Sequence, residues 1–210
     1  MAQPQPQPGS DESEIAQWLD NVDKTMGFKP ASALAMSCGT VTLDLRRAMV
    51  LVIWNNRFKL YQLPKGRRNM DESMFDAAVR ETYEETGFRV TPLELEIATR
   101  ATPSKTEGSG PVRKSPDVIE GYRSKEFIGA CLSPDPQSDT EALKIVYYYA
   151  AMADSTAAPD TDTQEEWEDL KAKWIPLSEV ASTLRFVAEV KTVMKAVEDI
   201  KNSGYTIGEC

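Results

Sequence analysis

The segment from Gly66 to Phe88 constrains this chain more than any other. It reads GRRNMDESMFDAAVRETYEETGF: a basic, glycine-bearing turn, then a helical pattern that stops at Gly87. At about 100° per residue, Glu81, Glu84 and Glu85 fall at about 0°, 300° and 40° on the helical wheel, so they share one face. Phe75, Val79, Thr82 and Thr86 lie between about 100° and 160°. They form the expected core-facing stripe, with the carboxylates presented on the other side. Like charges four residues apart cost a helix a few tenths of a kcal/mol. Two of the acids also sit in the last turn, where the helix dipole disfavours negative charge. Folding asks for none of this, but a hard divalent cation does. Oxygen ligands favour Mg2+ or Mn2+, which complete their shells from substrate phosphates and water.

The turn before the helix supplies complementary chemistry. Lys65, Arg67 and Arg68 surround Gly66 in LPKGRR. Glycine lets the backbone come close to a ligand, so the Gly66 carbonyl can join the carboxylates around a cation. The three basic side chains can meet phosphate oxygens, and Arg80 can hold a neighbouring carboxylate in place.

Composition narrows the alternatives. The chain of 210 residues has no histidine, which removes the commonest general base and the histidine-dependent nucleophile systems. Three cysteines, Cys38, Cys131 and Cys210, show no metal-like spacing and fit reduced thiols in a reducing compartment. No apolar run approaches the length of a membrane span, and the Pro/Gln-rich start lacks the features of a secretory signal. A cytoplasmic setting is expected, the nucleus also being open. The formal net charge is −9. Residues 26–150 hold 17 Lys+Arg against 16 Asp+Glu, so the acidity lies in the flanking segments. Net acidity argues against a stable nucleic-acid partner but leaves room for a basic pocket.

Along the chain, residues 1–25 read as a disordered or weakly ordered tail, with a short helix open to residues 11–25. Residues 26–203 read as one domain and 204–210 as a C-terminal tail. Strand patterns occur at ALAMSCGTVTLD, AMVLVIWNN, FKLYQLP, PLELEIATRAT, EFIGACL, ALKIVYYYAAMA and AKWIPLSEV. Helical spacing runs from Ser178 to Asn202 and ends at Gly204. Residues 102–125 read as a long polar loop. Between Arg100 and Lys125 six bases face three acids, which suits either a lid over a polyanion or a solvated loop. Strands interleaved with two long helices imply an α/β fold with helices flanking a mixed sheet.

The fixed positions Gly66, Glu72, Arg80, Glu81, Glu84, Glu85, Gly87 and Phe88 match the Nudix box, G-x5-E-x7-R-E-U-x-E-E-x-G-U, where U is a bulky aliphatic residue. Thr82 stands where an aliphatic residue is usual, and its hydroxyl is expected to bond back to the preceding turn. The chain thus resembles the Nudix hydrolases over about residues 34–201. The resemblance implies an α/β/α sandwich and hydrolysis of diphosphate-linked small molecules with Mg2+ or Mn2+. By motif position, Glu81, Glu84 and Glu85 would hold the metal or, for one of them, activate water, and the Gly66 carbonyl would be a further ligand. Arg80 would orient Glu81, and Glu72 would support the loop-to-helix turn. Many relatives use a further glutamate from a later loop as base. Glu165, Glu166 and Glu168 fall where that loop would be, and Glu165 or Glu166 is favoured, with Glu166 carried forward as the candidate.

The box fixes a reaction type, not a substrate. A diphosphoinositol polyphosphate suits the PKGRR turn and the basic loop, and related sequences with a PKG turn include hydrolases of that class. A dinucleoside polyphosphate would need aromatic stacking, for which Tyr147–Tyr149, Trp54 and Tyr122 are available. Messenger-RNA decapping enzymes also carry a PKG turn, but usually with extra RNA-binding regions that are not visible here. The non-enzyme alternative is a Nudix-fold sensor that binds a polyanion without cleaving it.

Overall fold

The computed structural model describes residues 9–101, 122–135 and 142–208. Its centre is strand β1 (Leu34–Asp44), buried from Ser37 onward. β7 (Leu143–Met152) runs parallel to β1 through ten paired residues, from Leu34 opposite Leu143 to Leu43 opposite Met152. Every other named pairing is antiparallel. β2 (Met49–Asn55) carries β3 (Leu60–Gln62) and β8 (Leu170–Pro176). β5 (Thr91–Pro92) and β6 (Gly129–Pro134) pair with β7. β4 (Lys65–Arg67) pairs with β1.

Helix α2 (Met74–Thr86) and helix α4 (Val187–Asn202) cover opposite faces of this mixed sheet. Alternation along the strands shows it. Cys38 and Tyr149 pack with Ala77 and Ala78 of α2, whereas Tyr148, one residue from Tyr149, gives its hydroxyl proton to Glu189 of α4 at 3.2 Å. The sandwich expected from the sequence is therefore present. The main core lies on the α4 side, where Val41, Leu43, Val50, Val52 and Tyr148 of the sheet meet Val193, Ala196 and Ile200. Each such fully buried aliphatic contributes roughly 1.5–3 kcal/mol. The α2 side is thinner, because alanines let that helix sit close to the sheet. Three threonines fill the gap with hydroxyls: Thr40 bonds Thr42 at 2.6 Å and Thr82 at 2.8 Å. Thr82 also donates back to the Ala78 carbonyl at 2.8 Å.

Both helices end on glycines in the left-handed region. Gly87 has φ 74° and donates to the Tyr83 carbonyl at 2.7 Å. Gly204 has φ 80°, and the amides of Gly204 and Tyr205 return to the carbonyls of Lys201 and Ile200, closing α4 with a Schellman turn. Beyond it, Tyr205 and Ile207 pack on the core, and the Gly208 amide reaches the Leu45 carbonyl at 2.7 Å. At the other end, α1 (Glu12–Thr25) is capped by Asp11, which accepts the Glu14 amide proton at 2.9 Å. It buries no residue, and Ile15 and Leu19 are exposed.

Several expectations need correction. LPKGRR is not only a turn, since Lys65–Arg67 is a strand laid on β1. PLELEIATRAT does not form a strand. Only Thr91–Pro92 joins β7, and Leu95 makes an isolated bridge to Ser124. Leu93, Leu95 and Ile97 still point into the core, so alternation signalled burial without a ladder. Residues 178–202 are not one helix. α3 (Val180–Thr183) stops where Leu184 turns extended to bridge Tyr61, and the Arg185 amide donates to the Tyr61 carbonyl at 3.1 Å. Most of the loop at 102–125 lies outside the described residues. Of its described bases, Arg123 approaches Glu96 at 3.8 Å and Lys125 approaches Glu94 at 3.4 Å. No helix among the described residues is long and apolar enough to cross a membrane.

Candidate active site

Helix α2 buries Ala77, Ala78, Glu81, Thr82, Glu85 and Thr86. On the wheel this arc runs from about 320° to about 140°, so Glu81 and Glu85 belong to the packed face and not to an opposite, solvent-facing one. Phe75 and Val79, expected in the stripe, are only half-buried. The physical reason is the alanine pair. With Ala77 and Ala78 against the sheet, the helix approaches closely enough to press its glutamates onto β4.

Gly66 is the point of contact. A Cβ at this position would lie 1.6 Å from Oε2 of Glu81, so only glycine leaves room for that carboxylate. One strand residue earlier, the Lys65 amide donates to Oε2 of Glu85 at 2.7 Å. Burial pushes Glu85 up to about 8, against the pull of Lys65. Burial also raises Glu81, although Arg80 opposes it.

Arg80 gathers the remaining carboxylates. Its Nε and Nη2 each donate to Glu72 at 2.8 Å, a two-pronged pair, and its Nη1 donates to Glu81 and Glu84 at 2.7 Å each. Nη2 also reaches the Arg67 carbonyl at 3.1 Å. The hydrogen bonds from Arg80 hold Glu72 below the usual carboxylate range. Glu72 in turn accepts the Asn69 amide proton at 3.0 Å, and Arg68 Nη1 donates to the Glu72 carbonyl at 2.6 Å. Arg68 thus braces the loop that precedes α2. Ser73 caps the helix, accepting the Asp76 amide proton at 3.0 Å.

The acidic stretch after β7 closes the other end of α2, a role that its polar, aperiodic sequence does not announce. The last carbonyls of a helix lack partners within it. Here Thr163 donates to the Glu84 carbonyl at 2.8 Å, Gln164 to that of Glu85 at 3.4 Å, and the Asp160 amide to that of Gly87 at 2.9 Å. Gln164 also bonds both backbone groups of Leu170, at 2.9 and 3.1 Å. This clip fixes which glutamate faces the site. Glu168 is half-buried, its pKa is raised by burial, and its charge is felt by Glu81, Glu84 and Glu85. Glu165 and Glu166 are exposed. The structure therefore places Glu168 within electrostatic reach of the box glutamates, while Glu166 is exposed.

Lys65 and Arg67 leave the α2 face, because strand alternation turns them away from it while Gly66 faces it. Lys65 lies close enough for its charge to act on Glu85, Glu168 and Glu189, while Arg67 approaches Asp135 at 3.5 Å. Of the aromatic candidates, Tyr148 and Tyr149 are buried, Tyr147 packs edge-on against Phe127, and Trp54 packs on Tyr61.

Among the described residues, no three acidic or cysteine side chains are already gathered in ligand geometry, since Arg80 lies between Glu81 and Glu84. The donor set nonetheless fits a hard cation. It offers only oxygens, on two buried carboxylates that burial makes costly to charge, beside a glycine whose missing side chain leaves the room that the Glu81 carboxylate fills.

The NUDIX domain model matches residues 34–197. An RNA pyrophosphohydrolase of Bartonella clarridgeiae is 27% identical over 146 residues, covering 69% of this chain and 72% of that protein. A Caenorhabditis elegans Ap4A hydrolase complex superposes with a TM-score of 0.51 at 16% identity, covering 80% of this chain and 98% of that one. A NUDIX-family hydrolase from Clostridium perfringens gives 0.50 at 16% identity, over 78% and 96% of the two chains. The two structures share the fold, and the domain match takes in most of the sequence: the chain belongs to the Nudix family and is a Nudix hydrolase.

Proposed function

We propose that this protein hydrolyses a phosphoanhydride bond in a diphosphate-linked small molecule, with Mg2+ or Mn2+ held by Glu81, Glu84, Glu85 and the Gly66 carbonyl. The observation that carries the reading is the seating of the Glu81 carboxylate against the bare Cα of Gly66. A bound divalent cation would supply charge neutralisation at the bridging phosphate and a more acidic water. The chain's own residues do the rest. Arg80 holds Glu81 and Glu84 in place and is itself held by Glu72. Glu168, kept at the site by the Thr163–Gln164 clip, is the group that takes the proton from the attacking water. Lys65 and Arg67 meet phosphate oxygens.

For the substrate, a diphosphoinositol polyphosphate or a dinucleoside polyphosphate remains the reading that the basic strand supports. The burial of Tyr148 and Tyr149 removes two of the surfaces a nucleobase would need and favours the first. The relative named RNA pyrophosphohydrolase adds a second reading, a 5′-triphosphate RNA end. The cytoplasm or nucleus is where any of these substrates would be met. The test is incubation of the protein and Mg2+ with diphosphoinositol polyphosphates, dinucleoside polyphosphates, ADP-ribose, capped RNA and 5′-triphosphate RNA, measuring released phosphate, pyrophosphate or nucleotide. Turnover of one class identifies it. Tight binding with no turnover of any would replace the enzyme by a polyanion sensor.

A further inference from the structure

Three basic side chains share the face of the sheet opposite α2. Lys65 and Arg67 of β4 pair with Gly39 and Ser37 of β1, and Lys144 of β7 pairs with Ala35 of the same strand. Residues 35, 37 and 39 alternate onto one face, so their partners do too. On β1 this face carries only a methyl, a hydroxymethyl and a hydrogen, with Val146 and Tyr148 of β7 beside them.

Acids also lie within reach of these bases: the charge of Lys65 acts on Glu85, Glu168 and Glu189. Arg67 approaches Asp135 at 3.5 Å. Among the described residues, neither the Lys65 nor the Lys144 ammonium has a hydrogen bond or an ion pair. Lys144 is half-buried, and burial followed by the charge of Lys65 holds it below the usual lysine range. The acids whose charges reach Lys144 are Asp135 and Glu85. Among the described residues, the Ser37 hydroxyl on the same face is fully buried and has no hydrogen-bond partner. Like charges that share one partly dry face destabilise the free protein, and an anion bound there offsets that cost. Glu85 connects this face to the box carboxylates, since the Lys65 backbone amide donates to it and its charge reaches Lys144.

We propose that Lys144 and Lys65 form an anion subsite for a phosphoryl group of the substrate other than the pair being cleaved, so that the enzyme favours substrates bearing three or more phosphates. This deepens the hydrolase reading above and rests on it. Lys144 is the residue it adds. Sequence reading passed over Lys144 because it sits alone in an apolar strand.

The test uses the full chain without metal and inorganic tripolyphosphate as the probe, by calorimetry. The parent is expected to bind it, Lys144→Met to bind it about tenfold more weakly, and Lys144→Arg to recover most of the loss, because a charge-assisted contact is removed and restored. With Mg2+ present, Lys144→Met should raise KM more than it lowers kcat, and more for a substrate with extra phosphates than for a simple diphosphate. In the parent protein, tripolyphosphate should protect Lys144 from acetylation, read by mass spectrometry, which needs no variant to fold. Unchanged affinity in Lys144→Met, or labelling of Lys144 that tripolyphosphate leaves untouched, would overturn the subsite. Mg2+-dependent turnover by the parent reports separately on the hydrolase reading, so the two can fail independently.

Discussion

Arg80 and Glu72 meet through two parallel hydrogen bonds of 2.8 Å, across the turn that joins β4 to α2. The same guanidinium spends its remaining nitrogen on Glu81 and Glu84. One side chain therefore couples the loop's position to the direction of two carboxylates. Lysine cannot reproduce that fork. Arg80→Lys is expected to lower kcat/KM at least about tenfold and stability by about 1–3 kcal/mol. Steady-state kinetics and chemical denaturation check it. Arg80→Lys with parental kinetics would detach Arg80 from the site.

Gly66→Ala separates site geometry from folding. The added methyl meets the end of the flexible Glu81 side chain, which can swing away, and Gly66 does not have a positive φ. Thermal unfolding should therefore change little. Turnover should fall by about 10²-fold, as displacement of a reacting group by about 1 Å can cost that much. Equal losses of stability and turnover would make the glycine merely structural.

Glu168 and Glu166 give opposite expectations. Glu168→Gln keeps the volume and removes the base, so kcat should fall by about 10²–10⁴-fold. Glu166→Gln, at an exposed position, should stay within about twofold of the parent, the span of an ordinary surface change. Gln164→Leu should lie between them, since it frees the clip without touching the carboxylate. A full-rate Glu168→Gln enzyme would return the base to another residue.

Glu189 carries a pH signature. Buried between the Leu63 amide and the Tyr148 hydroxyl, its carboxyl is pushed up to about 6 by burial, with Lys65 opposing. A carboxyl raised above its unfolded value stabilises the fold most when protonated, and that contribution is lost as pH rises through the folded value. Glu189→Gln should match the parent near pH 4.5 and be more stable above pH 6, by up to about 2 kcal/mol. Denaturation midpoints across that range decide it. A parent that stays the more stable at pH 8 would contradict the assignment.

Much of this was legible in the sequence because the box is dense in residues whose roles depend on spacing. Arg80 bonds both Glu72 and Glu81, three residues that the motif singles out. Strand periodicity located β1, β2 and β7, since long apolar runs with β-branched residues leave few other options. What escaped depended on distant contacts. Ala77 and Ala78 look neutral on a wheel, yet their smallness brings the glutamates onto β4 and buries them. β4 is three residues long and strand only because β1 has a free edge beside it. Tyr61 breaks the final helix from more than a hundred residues away. The segment that carries Glu168 is held against α2 by side-chain bonds from Thr163 and Gln164 that leave no periodic trace.

The central claim is that the carboxylates of α2, pressed onto Gly66, take up a divalent cation. Mn2+ binding followed by the loss of the free-ion paramagnetic resonance signal tests it most directly. The parent should bind Mn2+, with Mg2+ competing, and Glu85→Gln should bind at least about tenfold more weakly while remaining folded, because a charged ligand becomes neutral at constant volume. Equal Mn2+ uptake by the parent and the folded Glu85→Gln variant would contradict the account.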